Sequence, residues 1–248
     1  MMQAFLLATQ LLTRFPVKLD QSVYADQELA GRSVLYYPLV GIIIGGILLI
    51  VNYILTVTGL LPGSLLFAAL ILTVWVLITG ALHLDGLGDS ADAWLGGYGD
   101  PQRSLEIMKD PYCGPAAVVS IGLVLMIKFS ALVELDDSNW AILVIAPMLA
   151  RAAVIALFMT TPYVRKNGMG ESAAMNLASG AARNILFVVA VLTILLTGMQ
   201  GVWILLVTII IFYYVRHLMI KRLTGTTGDT AGALIEILEC GILVISLI

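Results

Sequence analysis

The stretch "HLDGLGDSADAW", His83 to Trp94, sets three aspartates within twelve residues, directly after an uncharged apolar run. Along an α-helix a step of about 100° per residue places Asp85, Asp89 and Asp92 at about 0°, 40° and −20°, so the three carboxylates share one face. Like charges at that spacing repel. A divalent cation resolves the repulsion, and hard oxygen donors suit Mg²⁺, which keeps several waters and binds one or two carboxylates together with substrate phosphates. Gly86 and Gly88 present no side chain, which lets a phosphate group approach the backbone. The bland alternative is a solvated acidic loop. Helical spacing, adjacent glycines and a position at the edge of apolar sequence, where charge is costly, favour a metal-phosphate site. His83 falls about half a turn from the aspartate face, which suits a hydrogen-bonding residue better than a ligand.

A second cluster, "TGTTGDTAGALIEILE" from Thr224 to Glu239, carries a hydroxyl- and glycine-rich turn into the last apolar run. Asp229 and Glu236 share a helix face and are candidates to complete the metal site or to hold a second ion. Thr226, Thr227 and Gly228 have the composition of a helix-start loop whose hydroxyls and N–H groups hold a phosphate, although helix capping explains Thr227 or Asp229 equally well. Glu236 and Glu239 lie inside apolar sequence, where an ionisable residue is a functional candidate by default. Lys128 and Arg151 also fall within apolar runs. Either they bridge to carboxylates or they line a cavity for anions. The loop "RSLEIMKDPYCGP" adds Arg103, Glu106, Lys109 and Asp110, bases beside acids, as a phosphorylated substrate at a metal site requires.

These residues must be positioned by a membrane protein. Of 248 residues 60% are hydrophobic and 12% charged, with mean hydropathy +1.01, whereas about a quarter of residues in a soluble domain are charged. A bilayer core of about 30 Å needs roughly 20 apolar residues per helix, and seven segments approach that length: about 34–58, 64–83, 115–135, 139–160, 184–199, 202–219 and 230–248. The expectation is an all-α polytopic membrane protein of about seven transmembrane helices in a single catalytic domain, 1–248. "MMQAFLLATQLLTRFPVK" is too short to span, and Pro16 stops it, so it suits a short N-terminal interfacial or re-entrant helix. Cys113 and Cys240 show no metal spacing and no disulfide framework.

Lys and Arg collect in alternate connections. Arg14, Lys18 and Arg32 precede the first span; Arg103 and Lys109 follow the second; Arg165, Lys166 and Arg183 follow the fourth; Arg216, Lys221 and Arg222 lie at the end of the sixth or beyond it. The connections "TGLLPG", "ELDDSN" and "GMQG" have none. Cytoplasmic loops carry the basic excess, so the N-terminus and the aspartate motif are expected inside a bacterial inner membrane, and the C-terminus outside if the spans number seven.

In order and spacing, "FLLATQLLTRFPV", "YYPLVGIIIGG", "HLDGLGDSADAW", "RSLEIMKDPYCGPAAV" and "GTTGDTAGALIEILE" resemble the cobalamin-5′-phosphate synthase (adenosylcobinamide-GDP ribazoletransferase) family over essentially the full chain. The resemblance implies that a ribose hydroxyl of α-ribazole 5′-phosphate, or of α-ribazole, attacks the phosphorus nearest the cobinamide in adenosylcobinamide-GDP and releases GMP. Such transfers depend on positioning and charge neutralisation more than on covalent help. Asp85, Asp89, Asp92, Asp229 and Glu236 are then candidates for Mg²⁺. Arg103, Lys109, Asp110, Lys128, Arg151, Thr226, Thr227 and Gly228 are candidates for substrate, and Asp92 or His83 for accepting the hydroxyl proton. Partners expected are the two substrates and the lipid bilayer; a homo-oligomer is left open, and no nucleic acid is expected.

Rival readings are weaker. "DGLGD" has the D-x-x-x-D spacing of intramembrane prenyltransferases, but no second aspartate-rich motif follows at Asp229. CDP-alcohol phosphotransferases also begin with Asp-Gly, but their Ala-Arg pair and later aspartates are missing. A cation transporter would use acidic residues within spans, yet there is no inverted internal repeat.

Overall fold

The computed structural model describes residues 1–59, 64–135, 139–166 and 169–248. Of the basic-free connections, residues 60–63 of "TGLLPG" and 136–138 of "ELDDSN" lie outside the described residues. Thirteen helices are found among the described residues, with no strand longer than an isolated bridge. They are α1 (Met2–Leu12), α2 (Gln21–Ala25), α3 (Gln27–Val34), α4 (Tyr37–Val57), α5 (Leu65–Thr79), α6 (Leu82–Gly96) and α7 (Pro101–Ile107), then α8 (Pro115–Val133), α9 (Ile142–Thr160), α10 (Met169–Met175), α11 (Ser179–Thr197), α12 (Met199–Leu223) and α13 (Gly228–Ile245).

All seven apolar segments are mainly helical, one of them broken between Thr79 and Leu82, and the count of about seven spans is not confirmed. Five helices, α4, α8, α9, α11 and α12, are long and apolar enough to cross a membrane, and a sixth span results if α5 and α6 count together. The 18-residue α13 holds three acids, Asp229, Glu236 and Glu239, within its whole length and is not among those five. At 11 residues α1 is far too short to span.

The second span does not run on through the aspartate motif. α5 stops at Thr79, the axis turns by 84°, and α6 begins at Leu82. Gly80 and Ala81 both take left-handed backbone conformations, φ 61° and 57°. Their N–H groups close onto Leu77 and Val76 carbonyls and so end α5. Gly80 is required twice over, since a Cβ there would also strike the Arg14 side chain. Ala81 has no such freedom, and its left-handed conformation costs about 1–2 kcal/mol that the surrounding packing must offset.

α9 is buried along most of its length and forms the centre of the bundle. α4 lies against it through Gly41 and Gly45, which meet the backbone of Pro147, Met148 and Val144; small residues permit that approach between membrane helices. α13 packs against α6, α8, α9 and α12. Through Gly86 and Gly232, α6 and α13 come so close that a Cβ on Gly86 would collide with the backbone of Asp229 and one on Gly232 would press on His83.

Candidate active site

The start of α13 is held by a capping box. The Thr227 hydroxyl accepts from Thr230 N–H at 3.2 Å, and the Thr230 hydroxyl accepts from Thr227 N–H at 2.9 Å. Thr226 pairs with the Thr230 hydroxyl at 2.9 Å and bridges in parallel to Tyr163, with Thr226 N–H on Pro162 O and Val164 N–H on Thr226 O. The Tyr163 hydroxyl lies beside Gly228. The hydroxyls and N–H groups expected to cradle a phosphate therefore shape the helix start instead, and both threonines are fully buried.

That construction sets Asp229 against α6 and brings in Arg165, whose Nη1 donates to Asp229 Oδ2 at 2.8 Å. Asp85, Asp89 and Asp229 lie near enough to repel one another. Asp89 is pushed up from 3.8 to about 6, first by burial and then by the charges of Asp85 and Asp229, with Arg165 opposing. Burial, above all, and Asp85 raise Asp229, again against Arg165. Asp85, Asp89, Lys109, Asp110 and Arg165 line one cavity of about 220 Å³. Acids and bases are thus gathered around one space, as phosphate chemistry requires.

The remaining residues go elsewhere. Asp92 turns to α8, where Oδ2 accepts from Gly114 N–H at 2.6 Å and Oδ1 from Ala117 N–H at 3.0 Å. It caps a helix whose own N-cap, Gly114, has no side chain to offer. Arg103 is exposed and pairs with Glu106 at 3.2 Å. His83 lines a different, apolar cavity and not the acidic one.

Glu236, Lys128 and Arg151 meet inside the bundle. Lys128 Nζ lies 2.6 Å from Glu236 Oε2 and 2.6 Å from Glu239 Oε2, Arg151 Nη1 lies 2.6 Å from Glu239 Oε1, and all four side chains are almost wholly buried. Lys128 also sits 5.0 Å over the Trp75 ring. Two acids in an apolar helix need two counter-charges, and these bases supply them. The structure therefore brings Glu236 into an ionic cluster rather than to the aspartates.

Among the described residues no group of three or more His, Cys, Asp or Glu side chains converges closely enough to hold a metal ion by itself. The donor set still fits Mg²⁺, because that ion takes one or two carboxylates and completes its shell with water and phosphate. Asp85 and Asp89 would hold it, with Asp229 alongside. Arg165 was not singled out by sequence. It appears there only as a loop base, and the bridge between Tyr163 and Thr226 is what carries it to Asp229.

Residues 4–247 match the cobalamin-5-phosphate synthase family. The chain is 49% identical to the adenosylcobinamide-GDP ribazoletransferase of Pseudomonas savastanoi pv. phaseolicola over 98% of both chains. It is 51% identical to that of Stutzerimonas stutzeri over 98% of this chain and 97% of the relative. No solved structure gives a significant match.

Proposed function

The chain belongs to the cobalamin-5-phosphate synthase family, and from that premise we propose that it transfers the adenosylcobinamide-phosphate group of adenosylcobinamide-GDP to a ribose hydroxyl of α-ribazole 5′-phosphate. The hydroxyl oxygen bonds to the phosphorus nearest the cobinamide, the bond from that phosphorus to the bridging oxygen breaks, GMP leaves with that oxygen, and the hydroxyl proton passes to a base. The products are adenosylcobalamin 5′-phosphate and GMP.

The observation that carries this reading is the single cavity lined by Asp85, Asp89, Lys109 and Arg165, with Asp229 on Arg165. Lys109 and Arg165 would bind and orient the diphosphate. Asp229 holds the Arg165 guanidinium in place, and a fixed donor aimed at developing charge stabilises a transition state more than a mobile one. Mg²⁺, when bound by Asp85 and Asp89, would neutralise phosphate charge there. We place the site on the cytoplasmic side of the bacterial inner membrane, on the support of the basic connections that surround it.

Lipid-embedded protein given adenosylcobinamide-GDP and α-ribazole 5′-phosphate, with and without Mg²⁺, should release GMP only when both substrates and the cation are present. Diphosphate release from a prenyl donor, or cation flux without GMP, would refute the transferase reading.

A further inference from the structure

A cavity of about 300 Å³ adjoins the acidic one, and Arg165 stands in the wall of both. Its lining is mainly apolar, with Leu12, Val154, Phe158 and Ile235 among the contributors. One buried polar side chain on this wall has no partner: His83 is 5% exposed, and neither Nδ1 nor Nε2 makes a hydrogen bond. The hydroxyls of the two tyrosines on the wall, Tyr37 and Tyr163, are not among the buried side-chain atoms that lack a partner. An imidazole always carries at least one N–H, and leaving that donor buried and unmatched is costly unless a ligand completes it.

We propose that this cavity receives the aromatic base of the acceptor nucleotide, with His83 donating an N–H to the one unsubstituted nitrogen of that base. The inference rests on the transferase reading and adds a subsite to it.

Chemistry separates this occupant from the others available. The benzimidazole of α-ribazole is a flat, apolar bicycle with one free polar atom, and the cavity offers one free polar side chain. Guanine carries several donors and acceptors along its edge, most of which this wall would leave unmatched, and each unmatched group lowers affinity. The corrinoid, with its ring of amide side chains, is far too large. A lipid chain would fill the space but accept nothing from His83. The position is also right for the reaction. Because Arg165 lies in the wall of both cavities, a base seated against His83 is next to the space lined by Asp85 and Asp89.

The test follows GMP release by the lipid-embedded protein with two acceptors, α-ribazole 5′-phosphate and its indole counterpart, in which C–H replaces the unsubstituted ring nitrogen. The indole nucleotide should show a KM about 10- to 100-fold higher, the consequence of a buried donor left unmatched. His83→Phe should raise the KM for α-ribazole 5′-phosphate by a similar factor, leave the KM for adenosylcobinamide-GDP within about 2-fold, and abolish the preference between the two acceptors. His83→Gln, which keeps an N–H donor, should restore part of the loss. Equal KM values for the two acceptors in the wild-type protein overturn the base subsite while GMP release upholds the transferase. Parallel shifts of both substrate KM values in His83→Phe overturn it as well. No GMP from the wild-type protein with either acceptor overturns both readings. The wild-type comparison stands whether or not the variants fold.

Discussion

Asp89 is half-buried beside Asp85 and Asp229, with Arg165 as the cation that partly offsets them. Its substitution separates a ligand from a surface charge. Asp89→Asn keeps the shape but removes one negative charge, and should lower GMP release by about 100-fold or more, as loss of a positioned electrostatic group does. The stability effect has the opposite sign. Asp89 titrates near 6 in the folded protein against 3.8 for the ordinary group, so the folded state binds the extra proton. The destabilisation from its charge is present in full above about pH 6 and disappears toward pH 4. Without divalent cation, Asp89→Asn should therefore unfold at a higher temperature than wild type at pH 7.5 and at the same temperature near pH 4; a drop at pH 7.5 would show that Asp89 is a structural partner. Arg165→Gln removes the partner of Asp229 and a wall of the acidic cavity. Its kcat/KM should fall by about 10-fold or more. Sequence alone would have ranked this change as a mild loop substitution, and unaltered kinetics would restore that ranking.

At the level of elements, α6 owes its place to contacts that differ in how visible they are in sequence. The periodicity that set Asp85 and Asp89 on one face is local, and it survives because both fall within α6. The 84° turn before it depends on Gly80 and on Ala81 accepting a left-handed conformation, and an alanine signals no such turn. Asp92 shares the helical spacing of the other two, yet its carboxylate caps α8 across the chain. The clue lies in "CGPAAV", a helix start with no Ser, Thr, Asp or Asn at its N-cap, which leaves N–H groups needing an outside acceptor. Asp92→Ala should destabilise the protein by about 1–2 kcal/mol through the lost cap. Thermal unfolding in detergent measures it, and hydrogen exchange should rise first at residues 114–118. A Mg²⁺-dependent activity loss with unchanged stability would instead return Asp92 to the metal site.

Across the whole molecule, buried ions tie the bundle together while the basic connections orient it. Sequence showed that Lys128, Arg151, Glu236 and Glu239 were anomalous in apolar helices but not that they would find one another, because their pairing joins α8, α9 and α13 over long sequence distances. Lys128→Met leaves Glu236 without a counter-charge and should cost about 3–5 kcal/mol, whereas Lys128→Met with Glu236→Gln should recover much of it. A single variant as stable as wild type would mean the cluster is solvated.

The same whole-molecule view makes the orientation testable with a native residue. Arg14 packs on Gly80, Arg222 Nη1 donates to Trp94 O at 2.5 Å, Arg165 pairs with Asp229, and Lys109 shares the acidic cavity. The basic connections thus converge at one end of the bundle, and the Lys/Arg bias that orients membrane proteins makes the cytoplasm the expected side for that end. Cys113 is exposed and lines the acidic cavity at this end, while Cys240 is buried. A membrane-impermeant maleimide should therefore leave the protein unlabelled in intact cells and label Cys113 once the cytoplasmic face is opened, as in inverted vesicles, with Cys113→Ser removing the signal. Adenosylcobinamide-GDP should slow that labelling, because its diphosphate would lie against the same wall. Labelling of Cys113 from outside intact cells would place the carboxylates on the far side of the membrane and overturn the cytoplasmic site.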